Sequence, residues 1–231
     1  LEWRASPRYA CTSRPSSARI SGSTTSGPKR AATQARARVR AAVLYDGSPT
    51  FPDASAVWRV AAAHRVTHLG VSPGLLALAE KQGHVPAVDH DLSALRVLGV
   101  TGAPLPATTA RWARTGFGVP LNVISGGTDV ATAFVGASPL LPEPAPGRMG
   151  PPWLGVAART VDDRGEPVLG EVGELVITRP MPSMPLYLWN DPGMDRYRET
   201  YFGTFPGSWR QGDWATFTPD VEGFVSVEVH G

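Results

Sequence analysis

ALRVLGVTGAPLPATTARWARTGFGVPLNVISGG, residues 94–127, reads as a strand, a helix and a second strand in succession. Residues 94–102 are a short apolar run that closes on Thr101 and Gly102. Residues 106–116 have helical composition and spacing, and residues 120–127 return to a strand that runs into Gly126 and Gly127. Working toward the N-terminus, GLLALAEKQG (74–83) predicts a helix closed by Gly83, and VTHLGVS (66–72) a strand. DASAVWRVAAAHR (53–65) predicts a helix that Asp53 can cap, with Val57, Val60, Ala61 and His64 near one face. AAVLYDG (41–47) predicts one more strand. Short apolar strands alternating with helices of this length imply an α/β fold, a parallel sheet with crossover helices.

Toward the C-terminus the character changes. SPLLPEPAPGRMGPPWLG (138–155) is too dense in Pro and Gly for helix. Strands are expected over 156–165 and 170–179, with Asp162, Asp163, Arg164 and Gly165 as hairpin-turn residues, and two more around TPDVEG near the end. Met181, Met184 and Trp189, interrupted by prolines, read as a wall or linker. The organisation expected is a head over 1–42, an α/β part over 43–136 and a β-rich part over 137–231.

The 231 residues would fill one or two domains, and 42% apolar residues supply a core. One cysteine, Cys11, excludes an internal disulfide framework and a cysteine-rich zinc site. There is neither an apolar run of transmembrane length nor a signal-peptide pattern, so a cytoplasmic protein with no membrane partner is expected. The first residue is Leu1, which points to a fragment. The net charge of +2 is a sum of unlike parts: residues 1–40 carry +8 and residues 41–231 carry −6. The basic head, poor in large apolar groups, reads as low-order or non-native, or as a tail for nucleic acid or an acidic surface.

Ligands of α/β sheets bind at the carboxyl ends of strands. Two strand-end loops stand out, GVTGAPLP (99–106) and SGGTDVATAF (125–134). A Thr–Asp pair after two glycines, Thr128 and Asp129, can set a hydroxyl against phosphate and a carboxylate on Mg²⁺; as a bare pattern, a surface Asx turn explains it equally well. Asp213, in RQGDWATFT, can accept hydrogen bonds from a ribose diol or be an ordinary turn aspartate. His64 and His68 lack the spacing and the companions of a metal site. No G-x-S-x-G elbow is present, and GSTTSGPK (22–29) misses the Walker spacing.

Collectively these residues resemble the adenylate-forming acyl-CoA synthetases of the AMP-binding superfamily, and within them the acetoacetate–CoA ligase branch. The resemblance runs through VLYDGSPTFPD (43–53), DHDLSALRVLGVTGAPLP (89–106), ISGGTDVATAFVG (124–136), GEVGELVITRPMPSMPLYLWNDP (170–192) and RYRETYFGTFPGSWRQGDW (196–214). It implies part of the large N-terminal domain of such an enzyme, with ATP or AMP, Mg²⁺ and coenzyme A as cofactors and substrates. The acid would be activated to an acyl-adenylate and then passed to the thiol of coenzyme A. The resemblance places Gly102, Ala103 and Pro104 beside the adenine and acyl pocket, and Ser125, Gly126 and Gly127 in an adenine-side loop. Thr128 would contact phosphate, Asp129 would bind Mg²⁺, and Asp213 would hold the ribose hydroxyls.

SGSTTSGPK (21–29) keeps Ser21, Thr24, Thr25, Pro28 and Lys29 of the family's phosphate loop but displaces its glycines. The chain halts where the family's small lysine-bearing C-terminal domain would begin. The expected function is therefore acetoacetate–CoA ligation by a truncated, impaired fragment with little complete activity. Ligation of acetate, propionate or another short acid is the enzymatic alternative. A non-catalytic nucleotide-binding or interaction fragment is the alternative of another class.

Overall fold

The computed structural model describes residues 9–11, 42–138, 141–219 and 223–231. Thr24, Thr25, Lys29 and most of the basic head lie outside the described residues. The chain first makes β1 (Tyr9–Cys11) and β2 (Val43–Tyr45), which pair antiparallel with each other. The strand expected over 41–47 is thus present as β2, outside the parallel sheet.

The predicted alternation follows as α1 (Ala56–Ala63), β3 (His68–Val71), α2 (Pro73–Lys81), α3 (Pro86–Asp89), β4 (Val97–Val100), α4 (Ala107–Phe117) and β5 (Leu121–Gly127). β3, β4 and β5 are parallel neighbours, as the strand–helix alternation requires. β6 (Thr132–Gly136) then turns back antiparallel on β5, so the four-stranded sheet, in order β3-β4-β5-β6, is mixed. Much of the segment 125–134, expected as an open loop, is therefore hairpin ladder. Asp53 acts just outside α1: its Oδ1 accepts from the Ser55 N–H and from Arg59 Nη1, each at 2.8 Å, while Ser55 is the N-cap. The deep face of α1 is led by Trp58, whose ring meets Phe117 of α4 at 5.3 Å. Thr109 Oγ1 on α4 donates to Glu80 Oε2 on α2 at 2.6 Å, which locks the two crossover helices together.

The β-rich part is a five-stranded antiparallel sheet. It consists of β7 (Ala158–Val161), β8 (Pro167–Val168), β9 (Val172–Ile177), β10 (Trp209–Pro219) and β11 (Val225–Val229), in the order β11-β10-β9-β7-β8. The turn at Asp162–Gly165 forms as expected: Asp162 Oδ1 accepts from the Arg164 and Glu166 N–H groups. A helix not foreseen, α5 (Asp195–Phe202), packs on β10; the buried Asp191 anchors its start by accepting from the N–H groups of Arg196 and Tyr197. Met181 is buried, Met184 packs against the core, and Trp189 is exposed.

One continuous core joins both sheets, running from Trp58 and Leu98 through Val123, Phe134 and Val135 to Leu175, Ile177, Ala215 and Val227. The second half of the Pro- and Gly-rich stretch is tied by backbone bonds to both sheets. Val135 bridges Pro152, the Trp153 N–H donates to the Phe134 carbonyl at 2.9 Å, and Met149 exchanges two bonds with Val227 at 2.8 and 3.0 Å. Arg148 adds an ion pair to Glu228 at 3.0 Å.

Candidate functional site

Four stretches far apart in sequence converge on one cleft of about 260 Å³. Thr101, Gly102, Ala103 and Pro104 follow β4; Ile124, Ser125 and Gly126 belong to β5; Gln211 and Asp213 come from β10; Val229 and Gly231 lie at and beyond the end of β11. Met149, from the stretch that ties the sheets, completes the lining. The cleft opens at the carboxyl ends of parallel strands β4 and β5, where such sheets bind ligands.

Gly102, Ala103, Pro104, Ser125, Gly126 and Asp213, singled out from the sequence, thus meet in one place. Gly127, Thr128 and Asp129 stand beside it. Gly127 ends β5, and Thr128 and Asp129 form the exposed tip of the β5–β6 hairpin, closed by the Val130 N–H on the Gly127 carbonyl and the Ala131 N–H on the Thr128 carbonyl. Asp129 is tied to the fold through a partner that sequence reasoning missed: the Tyr201 hydroxyl of α5 donates to its Oδ2 at 2.5 Å.

Asp213 owes its position to a β-bulge. β10 pairs Arg210 with Val176 and Trp214 with Glu174, so Gln211, Gly212 and Asp213 stand opposite Leu175 alone. Gly212 has φ +91°, a conformation in which a side chain would be strained. The buried Glu174 holds the bulge from below: its Oε1 accepts from the Gly212 N–H at 2.9 Å, and its Oε2 pairs with Arg210 Nε at 3.2 Å. On the cleft side, Gln211 Nε2 approaches the Gly126 carbonyl at 3.5 Å and links β10 to β5. Gln211 and Glu174 were not read from sequence. Both fall inside stretches that carry the resemblance, 170–192 and 196–214, but their roles depend on a ladder register that the sequence does not show.

The lining of the cleft mixes apolar and polar groups. Ile124, Met149 and Val229 provide apolar surface, the Gln211 amide can donate and accept, and Asp213 can accept two hydrogen bonds from neighbouring hydroxyls. Among the described residues, no group of three or more His, Cys, Asp or Glu gathers at one point. Asp129 offers a single carboxylate with one oxygen engaged by Tyr201, a donor set suited to an ion such as Mg²⁺ that takes most of its ligands from phosphate and water.

Tyr201 is buried and stacks on Trp209 of β10, with ring centroids 3.6 Å apart. Burial first, and the Asp129 carboxylate second, push its hydroxyl from the ordinary 10.0 up to about 12. Because the folded-state value is raised, the neutral phenol contributes stability that is complete below pH 10 and is lost as pH rises toward 12. Tyr201→Phe is expected to remove that loss. Urea midpoints followed between pH 9 and about pH 11 should fall more steeply in wild type than in the variant, and parallel curves would refute the coupling.

AMP-binding enzymes, as a family, match residues 38–188. The acetoacetyl-coenzyme A synthetase of Rhizobium meliloti (strain 1021) is 44% identical over 190 residues, covering 81% of this chain and 28% of its own length. The solved acetoacetyl-CoA synthetase of Streptomyces lividans is also 44% identical and superposes with a TM-score of 0.73, over 80% of this chain and 29% of that one. An anthranilate CoA ligase solved in complex with anthranoyl-AMP is 25% identical with a TM-score of 0.64, over 79% of this chain and 33% of its own. The chain therefore spans less than a third of the length of the curated relatives it matches.

Proposed function

This chain belongs to the AMP-binding enzyme family, and from that premise we propose that its cleft holds the adenosine moiety of ATP or AMP in an acid–thiol ligase acting on acetoacetate and coenzyme A. The observation that carries the reading is the convergence of Gly102–Pro104, Ser125–Gly126 and Asp213 on one cleft. The relatives named for acetoacetyl-CoA synthesis favour acetoacetate as the acid. The relative solved with anthranoyl-AMP favours an adenylate as the species bound.

In this reading the adenine lies along Gly102, Ala103 and Pro104 on one side and Ser125, Gly126 and Gly127 on the other. Asp213 accepts from the two ribose hydroxyls and fixes the sugar's orientation. That orientation directs the phosphates toward the hairpin tip, where the Thr128 hydroxyl meets a phosphate oxygen. Asp129 would hold Mg²⁺, which when bound supplies positive charge against the phosphates. Thr24, Thr25 and Lys29, in the loop resembling the family's phosphate loop, would add donors to phosphate.

The acid's carboxylate oxygen attacks the α-phosphorus, and the bond to the pyrophosphate breaks. The sulfur of coenzyme A then attacks the acyl carbon and AMP leaves. Both steps gather negative charge near Thr128, so a fixed hydroxyl donor there lowers the barrier only if the nucleotide is held still by Asp213.

Titration calorimetry with AMP tests the reading. Wild-type chain is expected to bind, and Asp213→Ala to weaken binding by at least about 10- to 100-fold, the worth of one hydrogen bond to a charged group. Absence of AMP binding by the wild type, or unchanged binding by the variant, would overturn it. A panel of acetoacetate, acetate and propionate, read as pyrophosphate release with ATP, decides the acid.

A further inference from the structure

Glu174 was given no role among the candidate site residues and does not line the cleft, yet it is a carboxylate only 4% exposed within β9. Burying a carboxylate is unfavourable unless its oxygens are satisfied. Both oxygens here face one object, the bulge of β10: Oε1 accepts from the Gly212 N–H at 2.9 Å, and Oε2 lies 3.2 Å from Arg210 Nε as an ion pair without hydrogen-bond geometry. These two contacts grip residues on either side of Gln211, and Asp213 follows directly. The bulge is where the ladder between β9 and β10 is broken, so strand pairing cannot hold these residues. Gly212 at φ +91° supplies the backbone shape but, lacking a side chain, no means of its own to maintain it.

We infer that Glu174 is a positioning residue, a buried clamp that fixes the bulge so that Gln211 and Asp213 face the cleft in one arrangement. Its consequence for ligand choice rests on the nucleotide reading above. If Asp213 selects a ribose diol, Glu174 sets how sharply a ribonucleotide is preferred over its 2′-deoxy counterpart. Arg210 contributes the outer half of the grip; its side chain is 41% exposed, so its loss should be borne by the fold.

The test compares wild type, Glu174→Leu and Arg210→Gln in the full chain by two readouts. The first needs no ligand: amide hydrogen exchange across 209–216 should rise at least about tenfold at Gly212 in Glu174→Leu, the factor expected when a hydrogen bond to a charged acceptor is lost. Exchange within β4 and β5 should be unchanged. The second is the ratio of affinities for AMP and 2′-deoxy-AMP, which should fall toward one. A merely structural role would lower the folded fraction and leave that ratio intact.

Unchanged exchange at Gly212 overturns the clamp whatever nucleotides do. Raised exchange with the wild-type nucleotide ratio overturns its role in selection. A wild type that binds no AMP, with exchange still raised in the variant, sinks the nucleotide reading and leaves the clamp standing. Should Glu174→Leu fail to fold, Arg210→Gln decides by the same two readouts.

Discussion

A single methyl group added at Gly126 is expected to break the β5–β6 hairpin. A Cβ there would stand 2.1 Å from the Thr132 carbonyl oxygen and 2.6 Å from the Ala133 Cα. Both are backbone atoms of the paired strand and cannot swing aside. The contact arises because the ladder shifts register between Ser125 and Gly126, which draws the two backbones together. Phe134 and Val135 on the same hairpin are fully buried, so the strands cannot separate locally without opening the core. Gly126→Ala should therefore cost about 3 kcal/mol or more, beyond ordinary overpacking, seen as a lower urea midpoint. Gly127→Ala is the control, because its Cβ would meet Gln211 Oε1 at 3.4 Å, the end of a flexible side chain. Its expected cost is under about 1 kcal/mol. Equal midpoints for the two variants would show that the hairpin does not have this register. The neighbouring glycines thus serve different ends, and Gly126 is explained by strand packing before any ligand is considered.

Trp209→Ala is expected to be comparably severe, at about 3–5 kcal/mol for removing a buried indole. Trp209 is 2% exposed and is the hub of an aromatic cluster: Tyr201 stacks on it, while Tyr197 and Phe202 meet it edge-on at 6.2 and 6.1 Å. Its Nε1 is buried without a hydrogen-bond partner, so the indole N–H adds nothing to offset its desolvation. Trp209→Phe should accordingly recover more than half of what alanine loses, measured by the same denaturation midpoints. If phenylalanine were no better than alanine, the indole nitrogen would have a role that the packing does not explain. The variant also reaches the hairpin tip: without the stacked ring, the Tyr201 hydroxyl loses the support that holds it against Asp129.

The sheet of parallel strands was legible because its signal is local. Each of β3, β4 and β5 is an apolar run closed by Gly, Pro or a hydroxyl residue, and each crossover helix has its own face. β6 was hidden because TAFVG follows a glycine turn and becomes a strand only by pairing with β5, a choice made by tertiary contacts. α5 was hidden for the opposite reason: DRYRETYF is mostly polar, buries only Tyr201 fully, and starts on the side chain of Asp191. In the cleft, residues at strand ends were legible because strand ends are a topological position. Gln211 and Glu174 were not, because their roles follow from three residues facing one across a bulge, a register no one-dimensional pattern encodes.

The tie between the two sheets has a bearing on how the cleft comes into being. Its fastenings are among the most distant in the chain: Arg148 reaches Glu228 across 80 residues, and Gln211 reaches Gly126 across 85. Each such closure has an entropic cost that must be met before the contact returns anything. The strand–helix–strand unit over 94–127 can organise from contacts near in sequence, whereas the wall carrying Asp213 needs β10 and β11 docked first. A folding chain is therefore expected to acquire the crossover helix α4 before its cleft. Any species trapped before the final docking would show native-like helical signal while having no place for a ligand to sit.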